Sequence, residues 1–571
     1  MTTNQGPRDR YRPKAARHLP VPPRESSRPE LCDSRIDPDA DVIVVGSGCA
    51  GLATALFCAW RGLSVILLEK APEIGGTTRK SAFWTWVPNN GHLQEIGVED
   101  VEEDFLRYCL RTARPESFNP DAPLMGVSEW DYTLVKAIYD GTWPAVREMH
   151  ERGGLLFRPA DDFIDYLAHL EEDRVPYGRV MVPLDSNPEM TNGGVVAVTQ
   201  MAQVCQDLGV DIRVSHRVQR LMVEPTGQVR GVIASVTDGR KERIASKVGV
   251  VFASGGFTHD AELVRNFLAF PSLGGCAART NEGDFVRIGS AVGAQLCNMQ
   301  HGWRSAVALE RVAAQDPHMN ATTSWPGDSM IGVNLRGKRC LNEKLPYNEL
   351  ATEMGAWDSR SASYPNLFMI QVWDQRAQDG CQAESNGSIV PMGFHEHVFK
   401  ATTLEDFAEQ AKYRLSRLEH LTGGAVLDPD FLENLRQTII RWNEMAIAGV
   451  DEDFGRGAVA PDVAGFGGPV PDEPGRINPV MWPLSLTGPY FGAIVAAGTL
   501  DTKGGPKVDV DGRVLDDMDE PIPGLYGVGN CVGAVQGRSY WAGGATLGPM
   551  LAFARRIAER ISLTAEDGTR A

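Results

Sequence analysis

The 571-residue sequence has no uninterrupted apolar run long enough to cross a lipid bilayer. Its first forty residues contain no apolar core of the kind found in signal peptides, and they are rich in Pro and Arg. Positive charge is also scarce, because 56 basic residues stand against 74 acidic ones and the formal net charge is -18. Nucleic acids and anionic membranes attract basic surfaces. We therefore expect no integral membrane segment and no nucleic-acid partner, and we predict a disordered tail over residues 1–36.

The cysteines form no CxxC pair and no Cys/His cluster with metal-ligand spacing. They stand at positions 32, 49, 58, 109, 205, 276, 297, 340, 381 and 531. This scatter predicts a protein without structural disulfides, iron–sulfur centres or a metal site. It also favours a reduced, cytoplasmic setting.

A complete nucleotide-binding unit occupies residues 41–69. A β-branched run predicts a buried strand, and Gly46, Gly48 and Gly51 follow it at GxGxxG spacing. The first glycine permits a tight turn, the second lets the backbone approach a pyrophosphate, and the third lets the next helix pack closely. That helix would direct its N-terminus at the phosphates, and Glu69 would accept hydrogen bonds from a ribose at the end of the second strand. The unit predicts a dinucleotide cofactor without deciding between NAD and FAD.

Residues further along the chain decide between the two through a resemblance. Gly75-Gly76-Thr77-Thr78, Ser81 and the Trp86-to-Asn90 run resemble the GGTT, S and WxPNN elements of the fumarate reductase and 3-ketosteroid dehydrogenase flavoprotein superfamily. Ser254-Gly255-Gly256-Phe257 and Asn281-Glu282-Gly283-Asp284 resemble two further elements of that superfamily. The resemblance implies FAD as the cofactor. The absence of a histidine near residues 77–81 favours non-covalent binding.

The nucleotide-binding unit and the resemblance together assign a set of residues to the cofactor. They are Gly46, Ser47, Gly48, Ala50, Gly51, Glu69, Lys70, Gly76, Thr77, Thr78, Ser81, Val218, Gly255, Asp284, Gly529, Asn530, Ala545 and Leu547.

The resemblance also implies an α/β fold with two domains. A Rossmann-like FAD-binding domain, built on a parallel sheet with helices on both faces, is predicted at residues 37–305 and 488–571. An inserted α+β substrate or capping domain is predicted at residues 306–487. Residues 155–179 have a composition that suits neither a helix nor a strand, and we interpret them as a surface excursion near the flavin.

Two tyrosines indicate the reaction. Relatives that act on fumarate or succinate use arginines at the positions held here by Tyr347 and Tyr540, whereas 3-ketosteroid dehydrogenases have tyrosines there. The resemblance therefore implies α,β-desaturation of a ketone. Tyr540 and the Gly544 amide would bind the carbonyl oxygen, Tyr347 would take the α proton, and the β hydrogen would go to the flavin.

Tyr347 needs a partner, because a tyrosine with an ordinary pKa of about 10 is a poor base at neutral pH. The partner would lower its pKa or relay its proton. In the family this partner is another tyrosine, and Tyr166 is our choice, with Tyr177 second.

The substrate and the direction of the reaction stay open at this point. Trp541 stands where the steroid enzymes usually carry proline, and a bulky indole there would narrow the pocket. A smaller cyclic ketone, such as a cyclohexanone, is therefore a rival to a 3-oxosteroid. The expected partners are a small hydrophobic ketone and an external electron acceptor, for which the resemblance suggests a quinone. Two alternatives are a fumarate-reductase-like reductase of activated alkenes and a non-catalytic flavoprotein subunit that docks an electron-transfer partner.

Overall fold

The computed structural model describes residues 26–570, except 34–35, 189, 238, 315–321, 381–395 and 467–472. Its strands are β1 Glu30–Leu31, β2 Ala40–Val45, β3 Val65–Leu68, β4 Thr85–Trp86, β5 Phe157–Pro159, β6 Val180–Pro183, β7 Asp211–Arg213, β8 Arg217–Val223, β9 Val229–Ser235, β10 Lys241–Phe252, β11 Leu296–Cys297, β12 Gly302–Ala308, β13 Met330–Asn334, β14 Phe368–Asp374, β15 Phe399–Ala401, β16 Tyr490–Thr502, β17 Gly505–Pro506, β18 Arg513–Leu515 and β19 Pro521–Gly527. Its α-helices are α1 Cys49–Ala59, α2 Gly91–Glu95, α3 Glu102–Ala113, α4 Glu129–Glu151, α5 Gly193–Asp207, α6 Ala261–Phe267, α7 Asp284–Ser290, α8 Leu309–Ala314, α9 Tyr347–Met354, α10 Gln375–Gly380, α11 Leu404–Arg417, α12 Glu419–Thr422, α13 Phe431–Ala448, α14 Ala460–Ala464 and α15 Leu547–Arg570.

A nine-stranded sheet contains the nucleotide-binding unit. Its strand order is β1-β8-β9-β10-β2-β3-β7, and β19 pairs with both β10 and β18. The β19, β10, β2, β3 and β7 strands run parallel to one another. The long strand β10 bridges two regions, because its first half pairs antiparallel with β9 and its second half pairs with β2 and β19. The predicted α/β class with a Rossmann-like parallel sheet is confirmed, and the β8–β9 hairpin extends that sheet.

Both faces of the parallel strands are buried. The side chains of Val42 and Val44 pack in one apolar cluster with α1, α4, α5 and α15. Ile43 and Val45 point to the opposite face, as alternation along a strand requires, and pack against β8, β9 and α7. The run of four β-branched residues in β2 is therefore explained by burial on two sides.

A second, antiparallel sheet has the order β12-β16-β14-β13, with β15 also paired to β16. Strand β16 is its centre, since residues 490–496 pair with β14 and residues 495–502 pair with β12. Helices α11 and α13 cover one face of this sheet. Both β12 and β16 contain residues that the predicted boundaries assign to the FAD-binding domain. The division of the chain into domains stays a prediction.

The predicted N-terminal tail over residues 1–36 is too long. Residues 1–25 lie outside the described residues, but β1 pairs in parallel with Met222 and Val223 of β8. Cys32, which follows β1, is buried and donates its backbone N–H to the Val223 carbonyl at 3.0 Å. Backbone pairing at a sheet edge needs little side-chain hydrophobicity, so the Pro- and Arg-rich composition did not reveal this strand.

The interpretation of residues 155–179 as a surface excursion is wrong. This segment contains β5 and leads into β6, and Ile164, Tyr166 and Arg179 on it are buried. Its acidic residues indicated exposure because a charged side chain is buried only when it is paired. In this segment the buried carboxylates of Asp165 and Asp173 are paired with Arg179, as described below.

Candidate functional site

A cavity of about 760 Å³ opens at the carboxyl ends of β2, β3 and β10. This is the edge of a parallel sheet at which nucleotide ligands bind. Most of the residues predicted to bind the cofactor line it, namely Gly46, Ser47, Gly48, Ala50, Glu69, Lys70, Gly76, Thr77, Thr78, Val218, Gly255, Asp284, Gly529 and Asn530.

Two of the motif glycines are required by close packing. Gly46 has φ of 106°, and a Cβ atom there would lie 2.4 Å from the Ala253 carbonyl oxygen. A Cβ atom on Gly51 would lie 1.8 Å from the Gly46 carbonyl oxygen. Gly51 therefore sets the distance between α1 and the preceding turn, although it does not line the cavity. Gly48 has more space, because its Cβ would meet only the Thr78 hydroxyl at 3.4 Å and the Gly75 carbonyl oxygen at 3.9 Å.

We expect replacement of Gly51 by Ala to abolish most FAD binding, because the added methyl group would push α1 away from the turn that faces the pyrophosphate. The measurement is the flavin-to-protein absorbance ratio of the purified variant, for which we expect less than about a tenth of the wild-type value. Gly62→Ala is the matched control. Gly62 follows α1 and has nothing within 4 Å of its Cβ position, so it tests a nearby Gly-to-Ala change without a steric contact, although unlike Gly51 it has a positive φ of 78°. Equal flavin content in the two variants would contradict this role of Gly51.

The donors and acceptors in the cavity fit FAD. The first helical residue of α1, Cys49, donates its backbone N–H to the Thr78 hydroxyl at 2.9 Å, so the helix N-terminus and a threonine lie together at the phosphate end. The Glu69 carboxylate accepts the Ser47 backbone N–H at 3.0 Å and the Ser47 hydroxyl at 2.6 Å. Such a carboxylate at the end of β3 is placed to receive a ribose.

A second cavity, of about 500 Å³, shares Gly529, Asn530 and Met550 with the first. Thr546 and Pro549, at the start of α15, also line it. The two cavities therefore adjoin each other. The positive end of the α15 dipole faces the second cavity, where it would stabilise negative charge.

Three other predicted cofactor residues do not line either cavity. Ala545 and Leu547 flank Thr546, and the Ala545 carbonyl accepts a hydrogen bond from Gln536 at 3.1 Å. The Ser81 hydroxyl donates to the Thr78 carbonyl at 2.7 Å and thus supports the turn that carries Thr78. The role of Ser81, Ala545 and Leu547 toward the cofactor stays a prediction.

The prediction missed Asn281 and Asp501, which both line the first cavity. The buried Asp501 carboxylate accepts hydrogen bonds from the Gly256 backbone N–H at 3.0 Å, from Asn281 at 2.7 Å and from Asn530 at 3.2 Å. Burial raises the pKa of Asp501, and these hydrogen bonds partly offset the increase. Asn281 is the first residue of the Asn281-to-Asp284 motif, so its position in that motif could have identified it. Asp501 ends β16 and had no local signal.

Three tyrosines from distant parts of the chain form one cluster. The hydroxyl oxygens of Tyr166 and Tyr347 lie 2.6 Å apart. The ring centroids are separated by 5.2 Å for Tyr166–Tyr347, 5.3 Å for Tyr347–Tyr540 and 5.5 Å for Tyr166–Tyr540. Tyr177, our second choice as the partner of Tyr347, is 42% exposed, with no aromatic contact to this cluster among the described residues.

Burial is the main cause of the acid–base properties of the cluster. It raises the pKa of Tyr347 and of Tyr166 well above the ordinary value of tyrosine, and it raises the pKa of Tyr540. The hydrogen bond and the proximity of Tyr166 raise the pKa of Tyr347 further. The expectation that the partner lowers the pKa of Tyr347 is therefore not met, and the arrangement favours the other expectation, a relay of the proton.

Gly544 is fixed next to the tyrosine cluster. It has φ of 88°, and a Cβ atom there would lie 2.4 Å from the Trp84 carbonyl oxygen. Its own carbonyl accepts backbone hydrogen bonds from Trp86 at 3.1 Å and from Leu547 at 3.0 Å. The neighbouring Gly543 also needs to be small, because its Cβ would lie 2.6 Å from the Trp84 ring and 3.3 Å from the Tyr166 hydroxyl.

Trp541 does not narrow a pocket, contrary to our expectation. Its indole is fully buried and donates to the Thr112 hydroxyl of α3 at 3.0 Å. Its backbone carbonyl accepts the Tyr166 backbone N–H at 2.8 Å, so the residue supports the tyrosine cluster from behind. Phe466 contacts the cluster instead, with ring centroids 5.4 Å from Tyr166 and 6.0 Å from Tyr347.

A buried ion cluster holds the segment that carries Tyr166. The Arg179 guanidinium is 1% exposed and donates to Asp100 at 2.7 and 2.9 Å, to Asp165 at 2.6 Å and to Asp173 at 2.9 Å. Asp165 also accepts the Trp86 indole N–H at 2.9 Å. Three carboxyl groups share one guanidinium, and burial raises the pKa of Asp165 and of Asp173. We name these four residues the Arg179 cluster.

The described residues contain neither a membrane-spanning helix nor a metal-binding cluster. Over the described ranges, no helix is both long and apolar enough to pass through a membrane. In the same part of the chain, no group of three or more His, Cys, Asp and Glu side chains is placed to hold a metal ion.

Comparison with known proteins supplies the family context. The sequence profile of a family described as FAD binding domain matches residues 41–547. The chain is 29% identical over 551 residues to 4-oxocyclohexanecarboxylate 2-dehydrogenase of Sinomonas cyclohexanicum, with 90% of this chain and 91% of the relative covered. It is 28% identical over 588 residues to 3-oxosteroid 1-dehydrogenase of Mycolicibacterium smegmatis, with 92% and 97% covered.

A solved structure supports the fold. The 3-ketosteroid delta1-dehydrogenase of Sterolibacterium denitrificans, in complex with 1,4-androstadiene-3,17-dione, superposes with a TM-score of 0.74 at 23% identity. The superposition covers 92% of this chain and 99% of that one. These comparisons confirm the predicted resemblance, and the family match confirms FAD as the cofactor.

Proposed function

Because this chain belongs to the FAD binding domain family, we propose that it is an FAD-dependent dehydrogenase that introduces a double bond next to the carbonyl group of a cyclic ketone. The observation that carries the proposal is the hydroxyl pair of Tyr166 and Tyr347, 2.6 Å apart, in one cluster with Tyr540. Relatives named as dehydrogenases of a 4-oxocyclohexanecarboxylate and of 3-oxosteroids support the substrate class.

Tyr540 and Gly544 would bind the carbonyl oxygen of the ketone. The buried Tyr540 hydroxyl is a neutral donor at working pH, because burial raises its pKa. Together with the Gly544 amide it would stabilise the negative charge that develops on this oxygen as the α C–H bond breaks. The fixed backbone of Gly544 means that little reorganisation is needed at that step.

Tyr347 would receive the α proton on its oxygen while its own hydroxyl proton passes to Tyr166 through their short hydrogen bond, and Tyr166 would release its proton onward. FAD, when bound, supplies the oxidation by taking up the β hydrogen with its electron pair. The aromatic walls formed by Phe466 and Trp303 would orient the ring of the ketone and exclude water. An external acceptor, in our proposal a quinone, would then remove the two electrons.

Anaerobic bleaching of the oxidised flavin tests the proposal. We would add 4-androstene-3,17-dione, cyclohexanone, 4-oxocyclohexanecarboxylate and succinate in separate cuvettes and follow the flavin absorbance. We expect bleaching by at least one of the three ketones and none by succinate. A dicarboxylate needs cationic groups, and the two positions that carry arginine in fumarate and succinate enzymes are Tyr347 and Tyr540 here. Bleaching by succinate alone would overturn the proposal.

A further inference from the structure

The proposed desaturation delivers one proton to buried phenols in every turnover. This proton has to leave the site before the next turnover begins. The hydrogen-bonded pair of Tyr166 and Tyr347 is a poor final acceptor, because burial disfavours a phenolate at either position. A base with a lower pKa must therefore lie within reach of the pair.

Asp165, the neighbour of Tyr166 in sequence, does not have a free oxygen for this task. Its Oδ1 accepts the Trp86 indole N–H at 2.9 Å, and its Oδ2 accepts Arg179 at 2.6 Å. Both oxygens are thus used in the Arg179 cluster. Asp165 is therefore not placed to receive the proton from the tyrosine pair.

Glu349 lies two residues after Tyr347 on α9. Its Oε1 accepts a hydrogen bond from Asn348 at 3.0 Å. Its Oε2 is shielded from solvent and has no hydrogen-bond partner among the described residues. A buried carboxyl oxygen without a partner is costly, and such atoms are commonly satisfied by water. The carboxyl group is also near enough to Tyr166 to raise the pKa of that phenol.

Polar groups continue from Glu349 toward the surface. Asn348 donates to the Arg538 backbone carbonyl at 3.1 Å, and Arg538 itself is exposed. The fully buried Lys503 donates to the Ser539 carbonyl at 2.5 Å, and the Ser539 hydroxyl has no hydrogen-bond partner within the described ranges. Buried oxygens without a partner therefore occur on both Glu349 and Ser539, and Asn348 links the Glu349 carboxyl group to the backbone of the exposed Arg538.

We propose that Glu349 is the proton-relay residue of this site, which takes the α proton from the Tyr166–Tyr347 pair by way of one water molecule and releases it to solvent near Arg538. The inference rests on the proposed function. In the step, the phenolic O–H bond breaks, an O–H bond forms on the carboxylate, and the carboxylic acid then loses its proton to solvent. No electrons are transferred.

The charges around Glu349 suit this role. Burial raises its pKa to about 7, and the Asn348 hydrogen bond with positive charge on Lys503 and Arg538 keeps it from rising further. Burial lowers the pKa of Lys503 well below its ordinary value, and the Glu349 carboxylate offsets part of that decrease. Lys503 directly follows β16, and Arg538 lies two residues before Tyr540. Tyr166 lies in the segment between β5 and β6. Arg304, on β12, adds a buried positive charge near Lys503. A base with a pKa near the working pH is the most effective one.

Glu349→Gln tests the relay, since glutamine keeps the shape and the acceptor for Asn348 but cannot take up a proton. The matched control is Glu353→Gln, one turn further along α9 at an exposed position. The readout is the anaerobic rate of flavin reduction between pH 5.5 and 9, with the ketone that bleaches the wild-type flavin. Wild type and E353Q should slow as the pH falls through about 7, because protonated Glu349 cannot accept the proton. In E349Q we expect that pH dependence to vanish and the rate at pH 8 to fall about tenfold.

Flavin content and the dissociation constant of the ketone should be unchanged in both variants, which separates a relay from a structural role. A second readout needs no substrate: the carboxylic-acid infrared band of Glu349 should disappear with rising pH at a midpoint near 7, and E349Q should lack it. Identical pH profiles for E349Q and E353Q, or a Glu349 band that titrates near the ordinary value for glutamate, would overturn the relay alone. A wild-type flavin that no ketone bleaches would overturn the proposed function and the relay with it.

Discussion

Replacement of Tyr347 by Phe should slow the reduction of the flavin by a ketone by about 10²–10⁴-fold, the usual effect of removing a general base. The substitution removes only the hydroxyl that lies 2.6 Å from the Tyr166 hydroxyl and keeps the ring that packs against Tyr540 and Phe466. Because Tyr347 lines neither of the two cavities described above, FAD should stay bound. The measurement is anaerobic stopped-flow absorbance with flavin content determined on the same sample.

Tyr413→Phe is the control, since Tyr413 is 60% exposed and distant in sequence from the cluster. It should reduce its flavin at the wild-type rate. If Tyr347→Phe also kept the wild-type rate, proton abstraction by Tyr347 would be refuted. If neither the variant nor the wild type reacted with any ketone, a non-catalytic flavoprotein subunit would become the better interpretation.

Replacement of Arg179 by Met should have the largest effect on stability. Loss of one partner from a buried ion cluster costs about 3–5 kcal/mol, because the remaining charges are left without compensation. Arg179, Asp100, Asp165 and Asp173 all have almost fully buried side chains. We expect the free energy of unfolding, measured by urea denaturation at pH 7.5, to fall by about this amount. Activity should also fall, since the segment carrying Tyr166 is held by this cluster.

The loss of stability caused by Arg179→Met should be smaller at low pH than at high pH. The pKa values of Asp165 and Asp173 are raised by burial, so their contribution to stability is complete below the unfolded-state pKa and is lost as the pH rises through the folded-state pKa. Without Arg179 the cost of ionising them is larger, so the variant should lose less stability at pH 5 than at pH 7.5. Arg107→Met, which breaks an exposed pair with Glu103 on α3, should change stability by less than about 1 kcal/mol. A similar loss in both variants would contradict the buried cluster as the cause.

The cofactor cavity was largely predictable because its chemistry is local. Gly46, Gly48 and Glu69 lie within one strand-turn-helix-strand unit, where each role follows from spacing along the chain. Asp501 was not predictable in this way, since its hydrogen-bond partner Asn281 is 220 residues distant in sequence. The sequence pattern of β16 does not distinguish a residue that lines the cavity from one that packs in the core.

In the tyrosine site, one contact was predictable from the sequence and one side-chain orientation was not. The proximity of Tyr166 to Tyr347 was anticipated from the family resemblance, although their catalytic roles stay a proposal. The orientation of Trp541 was not, because motif position does not fix which way a side chain points. The segment with Asp165, Asp173 and Arg179 was misjudged because acidic residues indicate solvent exposure unless their counter-charge is known.

The position of β16 has a consequence for the order of folding. The centre of the second sheet, residues 490–502, and the strand β19 of the first sheet both come from the last part of the chain. Neither sheet can be completed until these residues have left the ribosome, so the two parts of the molecule cannot mature one after the other as separate units. A fragment that ends before Gly488 would expose unpaired edges on β14 and on β10, and it should be recovered as aggregate and not as a smaller folded protein.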